Sequence, residues 1–198
     1  MFGKPVSLFT LFGFEIKADI SWLLLAALIT WSLASGLFPE QYKELPQSAY
    51  WWMGLAGAVG LFLSIIFHEL THSLVARKFG VSMKEITLFI FGGVAHMEKD
   101  PPSPKAEFLI AVVGPLSSFF LAASFFLLYR FGVGSGWPVT LVGVLNYLSW
   151  LNMILAVFNL IPAFPLDGGR ILRSVLWRWK KDVRWSTNIA SQIGSGFG

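Results

Sequence analysis

Four apolar runs govern what this chain can fold into. They cover Ile20 to Phe38, Trp51 to Ala76, Phe108 to Phe131 and Val139 to Ile161, and as helix each is long enough to cross a hydrocarbon layer of about 30 Å. Of the 198 residues, 55% are hydrophobic and only 13% charged, too few polar groups to clothe a soluble domain of this size. The expected class is an all-α polytopic membrane protein with four or more transmembrane helices. Ser32-Leu33-Ala34 resembles a signal-peptide cleavage site. The apolar stretch continues past it to Phe38, however, and nineteen residues precede the run, so a retained helix is expected.

The cations set an orientation. Thirteen of the fifteen Lys and Arg residues lie before the first run, between the second and third, or after the fourth. Lys43 and Arg130 are the exceptions, and Lys43 sits among Glu40 and Glu44. The positive-inside rule then places the amino terminus, the 77 to 105 connection and the carboxyl terminus in the cytoplasm of a multi-pass cell-membrane protein. The net charge of +4 is accounted for at these membrane boundaries, so the partner is the lipid bilayer and no nucleic acid is expected. Cysteine is absent, which excludes disulfides and thiolate metal sites and leaves His, Asp, Glu and water as ligands.

Two connections break the helical pattern. Ile86-Thr87-Leu88-Phe89-Ile90-Phe91, followed by Gly92-Gly93-Val94, is rich in strand formers and too short to span, which predicts a short re-entrant β-hairpin between spans two and three. Asp100-Pro101-Pro102-Ser103-Pro104 then marks a surface turn. The fourth run ends in Pro162-Ala163-Phe164-Pro165-Leu166-Asp167-Gly168-Gly169-Arg170, so its helix must unwind near residue 161. Irregular backbone at membrane depth survives only against protein or water, and such a break beside an ionisable Asp signals a site.

The chemistry concentrates in His68-Glu69-Leu70-Thr71-His72. Residues four apart on a helix share a face, so two imidazoles can converge on one metal while Glu69 stands ready to act on water. Ionisable groups inside an apolar run cost about 2.5 kcal/mol or more each when charged, and packing alone does not call for them. Ala56, Gly60 and Ser64 precede the histidines at four-residue steps, and Gly114, Ser118 and Ala122 repeat that spacing on span three. These stripes let helices approach closely, whether for a site or for ordinary packing. Two histidines leave a third zinc ligand to find. A metzincin would need Gly and His where Val75 and Lys78 stand. Glu85, Glu98 and Glu107 lie in or beside the polar connection, which makes Asp167 the better choice. Asn146, Ser149, Asn152 and Asn159 recur near the helical period on span four and form a polar stripe that should face inward, although Asn146 and Asn152 equally suit interhelical hydrogen bonds.

His68-Glu69-Leu70-Thr71-His72, Phe91-Gly92-Gly93-Val94-Ala95, Gly114-Pro115-Leu116-Ser117 and the run from Asn159 to Arg170 resemble, in order and spacing, the signature set of the site-2 proteases, and in particular their compact prokaryotic branch. The resemblance implies that His68, His72 and Asp167 hold one Zn2+, that Glu69 is the general base, and that Asn159 assists. It also implies that the strand carrying Gly92, Gly93 and Val94 helps seat an unwound substrate, with edge pairing expected from Ile86 to Phe91. The implied activity is hydrolysis of peptide bonds in or near the transmembrane segment of membrane-tethered regulators, such as an anti-sigma factor or a membrane-bound transcription factor precursor. Members of this branch commonly have six spans, often followed by paired CBS domains. The expectation here is a single membrane-embedded domain, 1 to 198, shortened at the carboxyl end. His96 falls outside the motifs and reads as a polar connection residue. A transporter or channel with an intramembrane metal or proton site, or a non-catalytic pseudoprotease scaffold, is the competing reading.

Overall fold

The computed structural model describes residues 5 to 89, 92 to 97 and 100 to 195. The chain opens with strands β1 (Val6–Leu11) and β2 (Phe14–Ala18), which pair antiparallel. Asp19 then caps helix α1 (Ile20–Ser32), its side chain accepting from the Ser21 amide at 2.9 Å. The first span continues through a π-helical turn, Leu33–Leu37, into α2 (Phe38–Gln41). Pro39 stands at the start of α2 and has no N–H to donate. The wider turn, in which the Phe38 amide bonds the Leu33 carbonyl, accommodates that lost donor without breaking the span.

The second span is α3 (Gln47–Lys78), and it ends in the basic pair Arg77 and Lys78. Strands β3 (Met83–Phe89) and β4 (Gly92–Met97) form the hairpin that the strand-forming composition calls for, with Ile90 and Phe91 outside the described residues. Span three is α4 (Pro104–Gly134), capped by the Ser103 hydroxyl accepting from the Ala106 amide. Span four is α5 (Val139–Asn159). It stops two residues before the sequence estimate of Ile161, because Pro162 cannot continue the helix. Two shorter amphipathic helices follow, α6 (Asp167–Lys180) and α7 (Val183–Ser195).

The four helical segments that begin at residues 20, 47, 104 and 139 are each long and apolar enough to cross a membrane. Their outward faces carry many exposed large apolar side chains, including Leu24, Leu63, Phe120, Leu127 and Ile154, as helices bathed in lipid should.

The sheet is larger than the hairpin alone. Its strand order is β1-β2-β3-β4, and β2 runs parallel to β3 with Ile16 opposite Ile86. Two strands from before the first span thus extend the hairpin. Period-two alternation buries Phe14, Ile16 and Ala18 while Glu15 and Lys17 face out. Lys17 bridges Glu15 and Glu85 across that outer face. On the inner face Ile16, Ile86 and Leu88 pack with Ile66, Leu70, Ala76 and Ile110, which seats the sheet against the carboxyl-terminal half of α3. The Asp19 amide bonds the Leu88 carbonyl at 2.9 Å and ties the first span to the sheet.

The edge pairing expected of Ile86 to Phe91 is not available on β3. Strand β3 is hydrogen-bonded on both sides, by β2 and β4, so residues 86 to 88 offer no free edge. Among the described residues that property belongs to β4 and to β1.

Helices α1 and α3 approach closely at Gly54, where a Cβ would lie 2.6 Å from the Thr30 carbonyl oxygen. Gly54→Ala should therefore push α1 off α3 and cost about 1 to 3 kcal/mol. Gly36→Ala, where a Cβ meets nothing within 4 Å, should be neutral in the same thermal unfolding measurement in detergent.

Candidate metal centre

Helix α3 presents His68 and His72 one turn apart, with ring centroids 4.8 Å from each other. Asp167, the first residue of α6, meets both. Its Oδ2 lies 3.1 Å from His68 Nε2 and 3.2 Å from His72 Nε2, and the two Nε2 atoms are 3.1 Å apart. All three residues are buried. The group is able to hold a metal ion, and it unites the residues that the sequence singles out as ligands.

The tautomers explain why a cation fits. His72 Nδ1 lies 2.5 Å from the Ile110 carbonyl oxygen. A carbonyl only accepts, so Nδ1 carries the proton and Nε2 of the neutral ring presents a lone pair. His68 Nδ1 lies 2.9 Å from Ser118 Oγ, and donation to that hydroxyl leaves its Nε2 in the same state. Three acceptors then converge with no donor between them, an arrangement that a positive ion relieves. Separations of 3.1 to 3.2 Å also sit close to the edge of about 3.3 Å expected for a tetrahedron with metal–nitrogen bonds near 2.0 Å.

Helix α4 is the backboard of this arrangement. A Cβ at Gly114 would collide with the His72 ring and lie 2.6 Å from His68 Nε2. Four residues on, Ser118 holds His68; four residues back, Ile110 holds His72. Thr71 adds a further tie, donating to the His68 carbonyl at 2.7 Å and lying 3.3 Å from Ser117 Oγ. Gly114 and Ser118, legible in the sequence as a packing stripe opposite α3, also shape and orient the rings. Their position four residues apart, opposite a His-x-x-x-His pair, was the available signal.

Asp167 owes its place to the turn that precedes α6. After α5, the chain passes through residues 160 to 166 with short internal bonds, Ala163 amide to Ile161 carbonyl and Leu166 amide to Ala163 carbonyl. Gly168 and Gly169 then pack directly on that turn. A Cβ at Gly168 would strike the Leu160 and Ile161 carbonyls, and one at Gly169 would lie 2.8 Å from Phe164 N. The glycine pair lets α6 start hard against the broken end of α5.

The remaining candidates fall in different places. Glu69 is half-buried, and its charged neighbours are His72, His68, Asp167 and Arg170. Burial lowers the Arg170 guanidinium from its usual range, opposed by Asp167 and Glu107. Asn159 donates from Nδ2 to the Leu155 carbonyl of its own helix at 2.9 Å. Gly92, Gly93 and Val94 lie on edge strand β4, which runs beside α3, and His96 is on the same strand. Of the alternative ligands, Glu85 pairs with Lys17 and Glu107 with Arg173, while Glu98 lies outside the described residues. The polar stripe of α5 joins helices, since Ser149 donates to the Ala122 carbonyl and Asn152 to Ser64 Oγ. The Gly60 and Ser64 part of the α3 stripe therefore faces α5 rather than α4, and Ala56 is exposed.

A chain that carries this centre on membrane-length helices belongs to a defined class. The model of Peptidase family M50 matches residues 56–137 and 134–197. The sequence is 39% identical over 189 residues to a putative zinc metalloprotease of Synechocystis sp., covering 96% of this chain and 48% of that one. It is 40% identical over 183 residues to the putative zinc metalloprotease Rip3 of Mycobacterium tuberculosis, covering 92% and 45%. The fold superposes on the site-2 protease from Methanocaldococcus jannaschii with a TM-score of 0.62 at 35% identity, covering 98% of this chain and 81% of that one. The chain belongs to Peptidase family M50, the site-2 protease family, and is a multi-pass membrane protein. It spans about half the length of the curated relatives it matches.

Ser118→Ala should lower zinc affinity about 10- to 100-fold, as loss of an outer hydrogen bond to a ligand does. Gly114→Ala should lower it further by displacing both rings. Chelator competition followed by elemental analysis reads both effects.

Proposed function

We propose that this chain is an intramembrane zinc metalloprotease built as one membrane-embedded domain, with His68, His72 and Asp167 as ligands and Glu69 as the general base. The observation that carries the reading is the convergence of three buried acceptor atoms within 3.1 to 3.2 Å of one another, with Glu69 next to His68 on the same helix and these three residues among its charged neighbours.

Zinc held there supplies Lewis acidity, polarising a carbonyl and bringing the pKa of water toward about 7. The protein's own residues supply the rest. Glu69 takes the proton from the attacking water and delivers it to the departing amine nitrogen. The Ile110 carbonyl and Ser118 hydroxyl keep both rings in the tautomer that directs Nε2 inward. Asn159, at the end of α5, assists at the site mouth.

The depth of the centre follows from helix geometry. His72 precedes Arg77 by five residues and His68 by nine, which puts the centre on the order of 8 to 14 Å inside the cytoplasmic boundary. The cation distribution supports that orientation, with the amino terminus and the active-site side cytoplasmic. A substrate helix satisfies its own amides and hides its carbonyls, so it must unwind before attack. Strand β4, with Gly92, Gly93 and Val94, presents an edge beside α3 on which an unwound segment can pair. The substrate class is a membrane-tethered regulator, such as an anti-sigma factor or a membrane-bound transcription factor precursor.

Cleavage of a single-span test substrate in detergent tests the reading. Glu69→Gln should retain zinc and lose about 100-fold or more of the cleavage rate, whereas a transporter would show no such separation. Asp167→Asn should lower zinc content, and Glu85→Gln should not. Proline substitutions at successive positions from 92 to 97 should impair cleavage at those positions whose N–H faces the open edge; unaffected cleavage throughout that scan would remove the β4 pairing.

A further inference from the structure

Glu107 stands outside the ligand group, yet it is fully buried at 0% exposure in the first turn of α4. Its partner is Arg173 of α6, whose Nε donates to Glu107 Oε1 at 2.5 Å and whose Nη2 pairs with the same oxygen. The Arg173 guanidinium also lies over the Phe164 ring, 5.6 Å from its centroid. Phe164 belongs to the turn that leads into Asp167. The pair therefore joins three pieces: the start of α4, the body of α6 and the turn between α5 and α6.

Stability alone is a poor account of such a pair. Burying two charges costs about as much as their attraction returns, and apolar residues of similar volume often serve as well. The best-attested use of a buried ionic pair is to select one register among several. Register is what α6 does not inherit from α5. It is reached through an irregular turn, so the helical geometry of α5 does not dictate its height or rotation. The glycine pair permits close approach but has no side chain to choose a rotation.

The face of α4 is the common reference. Glu107, Ile110, Gly114 and Ser118 follow one another at helical spacing. In that order they receive Arg173, His72 Nδ1, both imidazole rings, and His68 Nδ1. We propose that the Glu107–Arg173 ion pair is the register pin that sets α6 on α4 and so holds Asp167 Oδ2 against the two histidine nitrogens. Glu107 and Arg173 are positioning residues on this account, and the inference rests on the metal-centre reading above. Arg170, between them and Asp167, adds positive charge acting on Glu107, Asp167 and Glu69, and Asp100 is the further acidic group acting on Glu107.

The test uses the full chain in detergent, with zinc affinity from chelator competition and the visible absorption of the cobalt-substituted protein as readouts. Glu107→Gln and Arg173→Gln should each weaken zinc binding about tenfold or more and change the cobalt spectrum, while helical content and elution remain those of the parent. Arg173→Lys, which keeps a cation near Oε1, should recover part of the loss. Adding Glu107→Gln to Asp167→Asn should produce no further loss, because the pin acts through Asp167. Where Glu107→Gln does not fold, the Arg173 variants on the more exposed side of the pair carry the same comparison. A folded Glu107→Gln with parental zinc affinity and cobalt spectrum overturns the proposal, and so do losses that multiply in the double variant. Zinc binding indifferent to Asp167→Asn would instead overturn the metal-centre reading, and the pin with it.

Discussion

Three lone pairs aimed at one buried point are the constraint on which the rest of the structure turns. An isolated helix could set His68 and His72 side by side, but it could neither choose their tautomers nor supply the third acceptor. Helix α4 does the first through the Ile110 carbonyl and the Ser118 hydroxyl. Helix α6 does the second, from a position 95 residues beyond His72. Small residues make both approaches possible. Gly114 admits the rings to the α4 backbone, and Gly168 and Gly169 admit the start of α6 to the turn after α5. In a low-dielectric interior such a cluster of acceptors is unfavourable without a compensating cation, so the fold and a group able to hold a metal ion are one design.

The same constraint accounts for the irregular parts of the chain. Backbone that leaves helical geometry at membrane depth must be covered by protein or reached by water. The turn at residues 160 to 166 meets this by bonding to itself and by lying under the two glycines of α6. The sheet is covered on one face, where Ile16, Ile86 and Leu88 pack against α3. It also decides which strands can serve as edges. With β2 and β4 on either side of β3, pairing capacity moves from the hydrophobic run Ile86 to Leu88 to its glycine-bearing neighbour.

Helix-to-helix polar contacts show how intramembrane side chains divide their labour. Ser149 and Asn152 on α5 bond to the Ala122 carbonyl of α4 and to Ser64 of α3, and so join the helices of the bundle. On hydropathy and spacing alone they were indistinguishable from residues lining a path to Asp167. The difference lies in which helix each rotamer meets, and that is a property of the assembled bundle.

Hydropathy and short-range spacing were enough to determine the four spans, the hairpin between the second and third, a helical break before Pro162, and the His-x-x-x-His face on α3. Each of these depends on local chemistry: apolar length against membrane thickness, proline against the helix, and the 3.6-residue turn. Asp167 was legible as a candidate because an ionisable residue beside a broken apolar helix is costly unless used. Only the tertiary structure decided that strands from before the first span complete the sheet, that β3 is internal, that Ser118 and the Ile110 carbonyl orient the imidazoles, and that Glu107 reaches Arg173. Those contacts join segments tens of residues apart, such as the 66 between Glu107 and Arg173, and no local periodicity encodes which distant surface a side chain will meet.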